Sequence, residues 1–376
     1  MLLTILVFLI VLSLLVFVHE FGHFFAARKL GVKAEEFGFG FPPRIFGLYK
    51  DKNGKWKKSW GRKKIEDNSD TIFSINSIPL GGFVKIKGQD GQEGDDLDSF
   101  ASKKPWKRAI ILSAGVFMNI VLATVLISIG LMIGFPQSVD KGSLSKSAIV
   151  SDAKVQILQV MPDSPASLAG LKTADVILNI DEQKIITGDD FSEHILNSEG
   201  SELAMTISRF GDIKELTIKP SISEDDRYII GVAFTETGTV KYPWYAAIWE
   251  GIKMTGYLLW AIIYAFYEII KNLIIGQPIG AEVAGPIGIA DLTGQMARMG
   301  IIYLIQFTAL LSLNLAIINF LPFPALDGGR LVFLFVEKLR GRPVKKEVEA
   351  VFHNIGFMLL MILVVWVTFK DILRFF

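Results

Sequence analysis

The sequence contains no cysteine. Disulfide staples, thiolate metal sites and a cysteine nucleophile are therefore excluded, and any chemistry falls to imidazole, carboxylate, hydroxyl and backbone groups. Imidazole is scarce too: among 376 residues the only histidines are His19, His23, His194 and His353. The chain also lacks any excess of charge of one sign, with 39 Lys and Arg against 38 Asp and Glu. No nucleic-acid partner is expected.

Hydrophobic side chains are plentiful, at 51% of residues with a mean hydropathy of +0.43. These values argue against an ordinary soluble enzyme and for a membrane protein. The small net charge hides a segregation: eighteen Lys and Arg lie between Arg28 and Arg108, and seventeen Asp and Glu between Asp140 and Glu236. The two stretches are expected to face different compartments. The opening run MLLTILVFLIVLSLLVFV lacks the basic start and small-residue cleavage site of a signal peptide, which predicts a helix kept in the membrane.

A bilayer-spanning helix needs about 20 largely apolar residues. Leu2 to Ala27, Trp106 to Phe135, Ile301 to Leu321 and His353 to Phe369 meet that requirement and give four predicted spans. Lys and Arg mark cytoplasmic loops, so the basic loop 28–105 and the run Arg330, Lys338, Arg340, Arg342, Lys345 and Lys346 are read as cytoplasmic, and both chain ends as outside. Residues 243–276 are long and apolar enough for a fifth span, but a crossing there would put the two basic runs on opposite sides. Glu250, Lys253, Glu268 and Lys271, set among Trp and Tyr, suit a helix lying along the interface instead. Residues 148–236 alternate as strands over Val155–Val160, Val176–Ile180, Leu203–Arg209, Ile213–Lys219 and Tyr228–Phe234, with a turn at Phe210-Gly211-Asp212 and a short helix at Phe191–Asn197. The predicted fold is a polytopic α-helical membrane protein with an inserted extracytoplasmic α+β domain. Phe37, Phe39, Phe41 and Phe46, with Pro42 and Pro43, read as anchors of the basic loop on the inner headgroups. His194 is expected at a surface and His353 at the interface, neither with a partner at ligand spacing.

The chemistry concentrates in the first span, at His19-Glu20-Phe21-Gly22-His23. Positions i and i+4 share a helix face, so both imidazoles can reach one Zn²⁺ while Glu20 serves as general base. Ionisable residues inside an apolar helix are costly and point to function. A catalytic zinc site needs a third protein ligand. Asp327 in Asn319-Phe320-Leu321-Pro322-Phe323-Pro324-Ala325-Leu326-Asp327-Gly328-Gly329-Arg330 is the candidate, because the prolines end the helix and the glycines permit irregular backbone at membrane depth. The first and third spans run in the same direction, and so deliver Asp327 to the inner end where the histidines lie.

HEFGH in a first apolar helix, NFLPFPALDGG after a later one and a soluble domain between them resemble the site-2 protease family of intramembrane zinc metalloproteases, the bacterial regulator of sigma-E protease among them. The resemblance implies an enzyme with His19, His23 and Asp327 as zinc ligands and Glu20 as the base. It implies that Asn319, and also Asn314, hold the substrate backbone or the oxyanion. Ile78-Pro79-Leu80-Gly81-Gly82-Phe83-Val84-Lys85 resembles the family's membrane-associated β-hairpin, spanning about 71–88, where Gly81 and Gly82 would help an edge strand pair with an unwound substrate. Gly285 to Ala290 resembles the family segment before the third span. Met161 to Ile177 resembles a PDZ domain, with Ala174 where a glycine is usual; such a domain could bind a peptide or protein ligand, or gate the site by size. The expected function is hydrolysis of single-span membrane proteins within the lipid bilayer of the inner membrane, as in regulated intramembrane proteolysis of an anti-sigma factor or a signal-peptide remnant. A PDZ-bearing scaffold with structural zinc and a metal transporter are the competing readings. Glu20 separates them, since only hydrolysis needs a base at that position.

Overall fold

The computed structural model describes residues 2–61, 65, 70–89, 96–139, 145, 147–209, 211–223, 227–277, 285–342 and 344–375; Phe210 of the expected turn lies outside them. The chain divides into two compact units. The first comprises Met1–Ile127, Ile252–Ala297 and Phe307–Phe376, the second Ser128–Gly251 and Arg298–Gln306.

In the first unit, helix α1 (Leu2–Lys29) carries no charged residue in its first four turns and ends on Arg28 and Lys29, whose charges suit the negative end of a helix dipole. Helix α2 (Pro105–Ile133) begins on proline, favoured in a first turn. Among the described residues, five helices are long and apolar enough to cross a membrane: α1, α2, a helix at Trp244–Ile275, one at Ile301–Phe320, and Glu347–Leu373 within one at Lys346–Phe375. The stretch read as interfacial thus meets the same length and composition test as the four expected spans.

The basic loop is not featureless. It carries β1 (Ala34–Lys50), β2 (Trp56–Trp60) and β3 (Ile72–Ile86) in a sheet of order β2-β1-β3. Residues 71–88 therefore do not form a hairpin of their own. They are one bent strand wrapped about β1, so that Phe37 of β1 lies opposite Val84 on one flank and Phe73 on the other. The reason is aromatic: Phe37 is buried, stacks on Phe24 of α1 at 4.7 Å and meets Phe17 at 5.2 Å, which fastens the sheet to the helix. Phe37 is thus a core residue rather than a headgroup anchor. Phe46 lies against Trp60 at 4.9 Å, and Phe39 and Phe41 stay exposed.

In the second unit, β4 (Phe135–Ser138), β5 (Ile149–Val160), β6 (Val176–Ile180), β7 (Gln183–Lys184), β8 (Leu203–Arg209), β9 (Asp212–Ile218), β10 (Ser221–Ile222), β11 (Tyr228–Ile229) and β12 (Val232–Lys241) surround α3 (Pro165–Leu168) and α4 (Gly188–Leu196). The main sheet runs β4-β12-β5-β6-β8-β9, with β7 on β6, and β10 pairs with β11 apart from it. Alternation of β-branched and polar residues turns Val155, Ile157, Ile177, Ile180, Ile207 and Ile218 inward with almost no exposure, and Phe191 of α4 closes over them. Thr187 and Asp190 form a reciprocal cap at the start of α4.

The C-terminal half holds α5 (Trp244–Ile275), α6 (Pro286–Met299), α7 (Ile301–Phe320), α8 (Asp327–Arg340) and α9 (Lys346–Phe375). Helix α6 was expected only as a segment before the third span; Asp371 of α9 accepts the Gly285 and Gly288 amides at its N-terminus. Helix α8 starts at Asp327, so Gly328 and Gly329 are helical and the irregular backbone is confined to residues 321–326. The glycines matter through contact: a Cβ on Gly328 would come within 2.3 Å of the Phe320 carbonyl oxygen, so glycine lets the new helix leave directly beneath the old one.

Candidate metal centre

Two adjacent turns of α1 present His19 and His23 on one face, both buried. Asp327, in the first turn of α8, meets them: its Oδ2 lies 3.1 Å from His19 Nε2 and 3.2 Å from His23 Nε2, and the two Nε2 atoms are 3.2 Å apart. His23 Nδ1 is 2.8 Å from the Ile111 carbonyl oxygen of α2. A carbonyl only accepts, so Nδ1 carries a proton, and in the neutral ring Nε2 turns its lone pair inward. Donors bound at ~2.0–2.2 Å around a tetrahedral Zn²⁺ lie ~3.3 Å from one another. The spacing and the two-imidazole, one-carboxylate set therefore fit Zn²⁺, and the three are the group of potential metal ligands found among the described residues.

Helix α2 supplies the room. A Cβ on Gly115 would lie 2.4 Å from His23 Nε2 and 2.7 Å from His19 Cε1, so no other residue allows the imidazoles to sit here. One turn to either side, Ile111 holds His23 and Asn119 meets His19, with the Asn119 Nδ2 atom 3.2 Å from Nδ1. Ser312 of α7 donates to the Asn119 carbonyl oxygen at 2.8 Å, and neither residue is exposed. Sequence reasoning missed both Gly115 and Asn119. Their signal was the spacing 111, 115, 119, the same four-residue step as His19 and His23.

His19, Glu20, Asn319 and Asp327 line one cavity of about 230 Å³, with Val16, Leu315 and Leu326 as its apolar wall. Glu20 also takes a hydrogen bond from the Val84 amide of β3. That strand lies at its sheet's edge and is clamped on α1 by Ser13, whose hydroxyl donates to the Pro79 carbonyl at 2.9 Å and accepts the Gly81 amide at 3.2 Å. Gly81 has φ +74, and a Cβ there would lie 2.5 Å from the Val16 Cβ, so only glycine allows this approach. Gly82 sits beside Phe17. Asn314 is not brought to the cavity: its amide donates to Leu310 of its own helix at 2.9 Å.

His353 serves the backbone instead of a metal. Its Nδ1 accepts the Ala325 amide at 2.8 Å, two residues before Asp327, and Ala325 sits at φ +71, a strained conformation for a residue with a Cβ. The imidazole of α9 thus holds the turn that delivers the carboxylate. His194 stays in α4, with Nδ1 3.2 Å from the Asp190 carbonyl.

Peptidase family M50 matches residues 7–60 and 62–363 of the chain. Zinc metalloprotease RasP of Oceanobacillus iheyensis is 30% identical over 463 aligned positions, covering 99% of both chains. The regulator of sigma-W protease RasP of Bacillus subtilis is 28% identical over 460, again covering 99% of each. A Clostridium perfringens protein bearing a zinc metalloprotease name is 33% identical over 368 residues, 97% of each chain. Among solved structures, the PDZ domain of the SdrC-like protein of Listeria monocytogenes is similar to 23% of this chain and 90% of its own, at 22% identity and a TM-score of 0.21.

Proposed function

The chain belongs to peptidase family M50 and is a zinc metalloprotease, and from that premise we propose that it hydrolyses peptide bonds in or near the membrane-spanning segments of single-span membrane proteins. The observation that carries the reading is the meeting of His19, His23 and Asp327 beside a cavity that His19 and Asp327 line together with Glu20 and Asn319. Zn²⁺, when bound, supplies Lewis acidity and lowers the pKa of water. His19, His23 and Asp327 would hold it. Glu20 takes the proton from the attacking water and passes it to the leaving amine. The Asn319 amide, on the same cavity wall, donates to the substrate carbonyl or backbone.

A helical peptide bond is shielded by its own hydrogen bonds, so the substrate has to be extended before attack. The edge strand β3, held against α1 by Ser13, Gly81 and Phe17, offers main-chain groups for that pairing within reach of Glu20. In this reading the protein sits in the inner membrane with four spans, α1, α2, α7 and α9, while α5 lies along the outer interface. Residues 148–236 of the second unit serve as an extracytoplasmic PDZ-like module, which binds a peptide or limits which substrates reach the site. Substrates of the anti-sigma-factor or signal-peptide-remnant type fit a site of this kind.

Purified protein should carry about one Zn²⁺ per chain, lose it in H19A/H23A, and keep it in E20Q while failing to cut a transmembrane peptide in detergent. Wild-type turnover by E20Q would end the hydrolytic assignment. Exposed positions in a chain without cysteine allow the sidedness to be read directly. E193C and Q277C should react with an impermeant thiol reagent outside intact cells, and K52C only after lysis. Labelling of E193C and Q277C from opposite faces would make α5 a fifth span.

A further inference from the structure

The two histidines are held differently, and the difference assigns a role to a residue outside the ligand set. The His23 ring is locked by a main-chain carbonyl, Ile111 O, which can do nothing but accept. The His19 Nδ1 instead faces the side chain of Asn119, whose Nδ2 lies 3.2 Å away and whose Oδ1 is buried without a hydrogen-bond partner among the described residues. Asn119 has no exposed surface, so bulk water does not serve it. An amide buried in an apolar helix with one end unsatisfied costs about 1–3 kcal/mol, and this one stands beside a group able to satisfy it.

A histidine that gives its Nε2 lone pair to a cation carries its proton on Nδ1, and that proton needs an acceptor. A half-turn of the carboxamide about its last side-chain bond exchanges oxygen and nitrogen at almost no steric cost. It brings the orphaned oxygen to Nδ1. The backbone that aims the amide is fixed, because Ser312 of α7 ties the Asn119 carbonyl and Gly115 one turn away lets α1 and α2 approach. Resting on the metal-site reading above, we propose that Asn119 is a positioning residue for zinc: its side-chain oxygen accepts the His19 Nδ1–H and keeps Nε2 turned toward Asp327. The stripe Ile111, Gly115 and Asn119 then works as one device, with an acceptor for each imidazole and a gap between them.

The experiment compares full-length wild type, N119L and N119D in detergent. Leucine keeps the branching and the number of heavy atoms and removes both polar ends, whereas aspartate keeps an acceptor and removes the donor. Zinc affinity is read by competition with a chelator, site geometry by the visible spectrum of the Co²⁺-substituted protein, and folding by the thermal midpoint. N119L should bind zinc ~10–100-fold more weakly than wild type with an altered Co²⁺ spectrum and an intact melting transition. N119D should equal or exceed the wild-type affinity and restore the spectrum. A packing role predicts the opposite order, since leucine fills the space and a buried carboxylate does not. Wild-type zinc affinity in N119L, or equal weakness in N119D, would overturn the proposal; if N119L does not fold, N119A is read by the same two measurements. Were wild type itself to bind no zinc, or H19A to bind it unchanged, the metal-site reading would fall first, and the two failures are told apart.

Discussion

Each unit carries a carboxylate drawn away from water, and the two have opposite surroundings. In the second unit Asp175, wholly buried, receives both ends of the Arg209 guanidinium at 2.7 Å and the Lys172 amide at 2.8 Å. Its charge is fully answered within the fold, and the pairing holds the Arg209 guanidinium above its ordinary range. In the first unit Asp327 faces two imidazoles, with its Oδ2 3.1 Å from His19 Nε2 and 3.2 Å from His23 Nε2. No arginine or lysine is bonded to it among the described residues. A carboxylate beside its own cation is a structural fastener, whereas one set among imidazole nitrogens at ligand spacing can share a metal ion with them.

Removing each carboxylate in turn should separate the two roles. D327A should lower zinc affinity by more than the ~10–100-fold that outer partners are worth, abolish proteolysis, and leave the unfolding of the second unit unchanged. D175A should do the reverse. Leaving a desolvated guanidinium behind costs about 3 kcal/mol, the lower end of the range because Arg209 keeps some exposure. Denaturant midpoints of the second unit should fall while bound zinc stays at the wild-type level. A D175A protein that loses zinc, or a D327A protein that keeps it, would mean that the two carboxylates do not divide the work in this way.

The two units also differed in how legible they were. In the second, alternation with a period of two placed β6 and β8 at their observed limits, because one face of each strand is buried and the other wet. In the first, the apolar runs marked the long helices, and the four-residue step of His19 and His23, with Asp327 after a proline-broken helix end, pointed to three side chains that lie together. What stayed hidden was everything set by contact between elements distant in sequence. Of the sheet, β3 was legible only as part of a hairpin over 71–88, while β1 and β2 were masked by the lysines of a basic loop although Phe37 and Phe24 were there to stack. Helix α8 was masked by Gly328 and Gly329, which look like breakers until the Phe320 carbonyl beneath them is seen. Asn119 and His353 were invisible for the same reason, since each matters through a partner 28 to 100 residues away.

His353 offers a smaller test within the first unit. Its hydrogen bond to Ala325 is neutral and half-exposed, worth about 0.5–1.5 kcal/mol, and it restrains a strained residue next to the ligand rather than the ligand itself. H353A should therefore keep zinc at millimolar-chelator stringency less well than wild type, by ~2–10-fold in affinity, and should lower turnover by a similar factor. H353N, whose side chain offers an acceptor, should recover part of both. An unchanged H353A would assign the Ala325 turn to Pro324 and Gly356, which touch closely behind it.

The smallest expected effect belongs to the second unit and involves no catalytic group. Thr187 caps α4 through its hydroxyl, while the Asp190 carboxylate accepts the Thr187 amide at 3.0 Å, which holds that carboxyl below the ordinary range. A depressed folded-state pKa stabilises the fold above the unfolded value of about 3.9 and ceases to do so as the pH falls through the folded value. T187A should cost about 1 kcal/mol at neutral pH. D190N should be destabilising at pH 7, and its difference from wild type should shrink once the pH drops below the folded pKa, where Asp190 is itself protonated. Zinc content should not change in either variant. A T187A or D190N protein that lost zinc would couple this helix start to the metal centre.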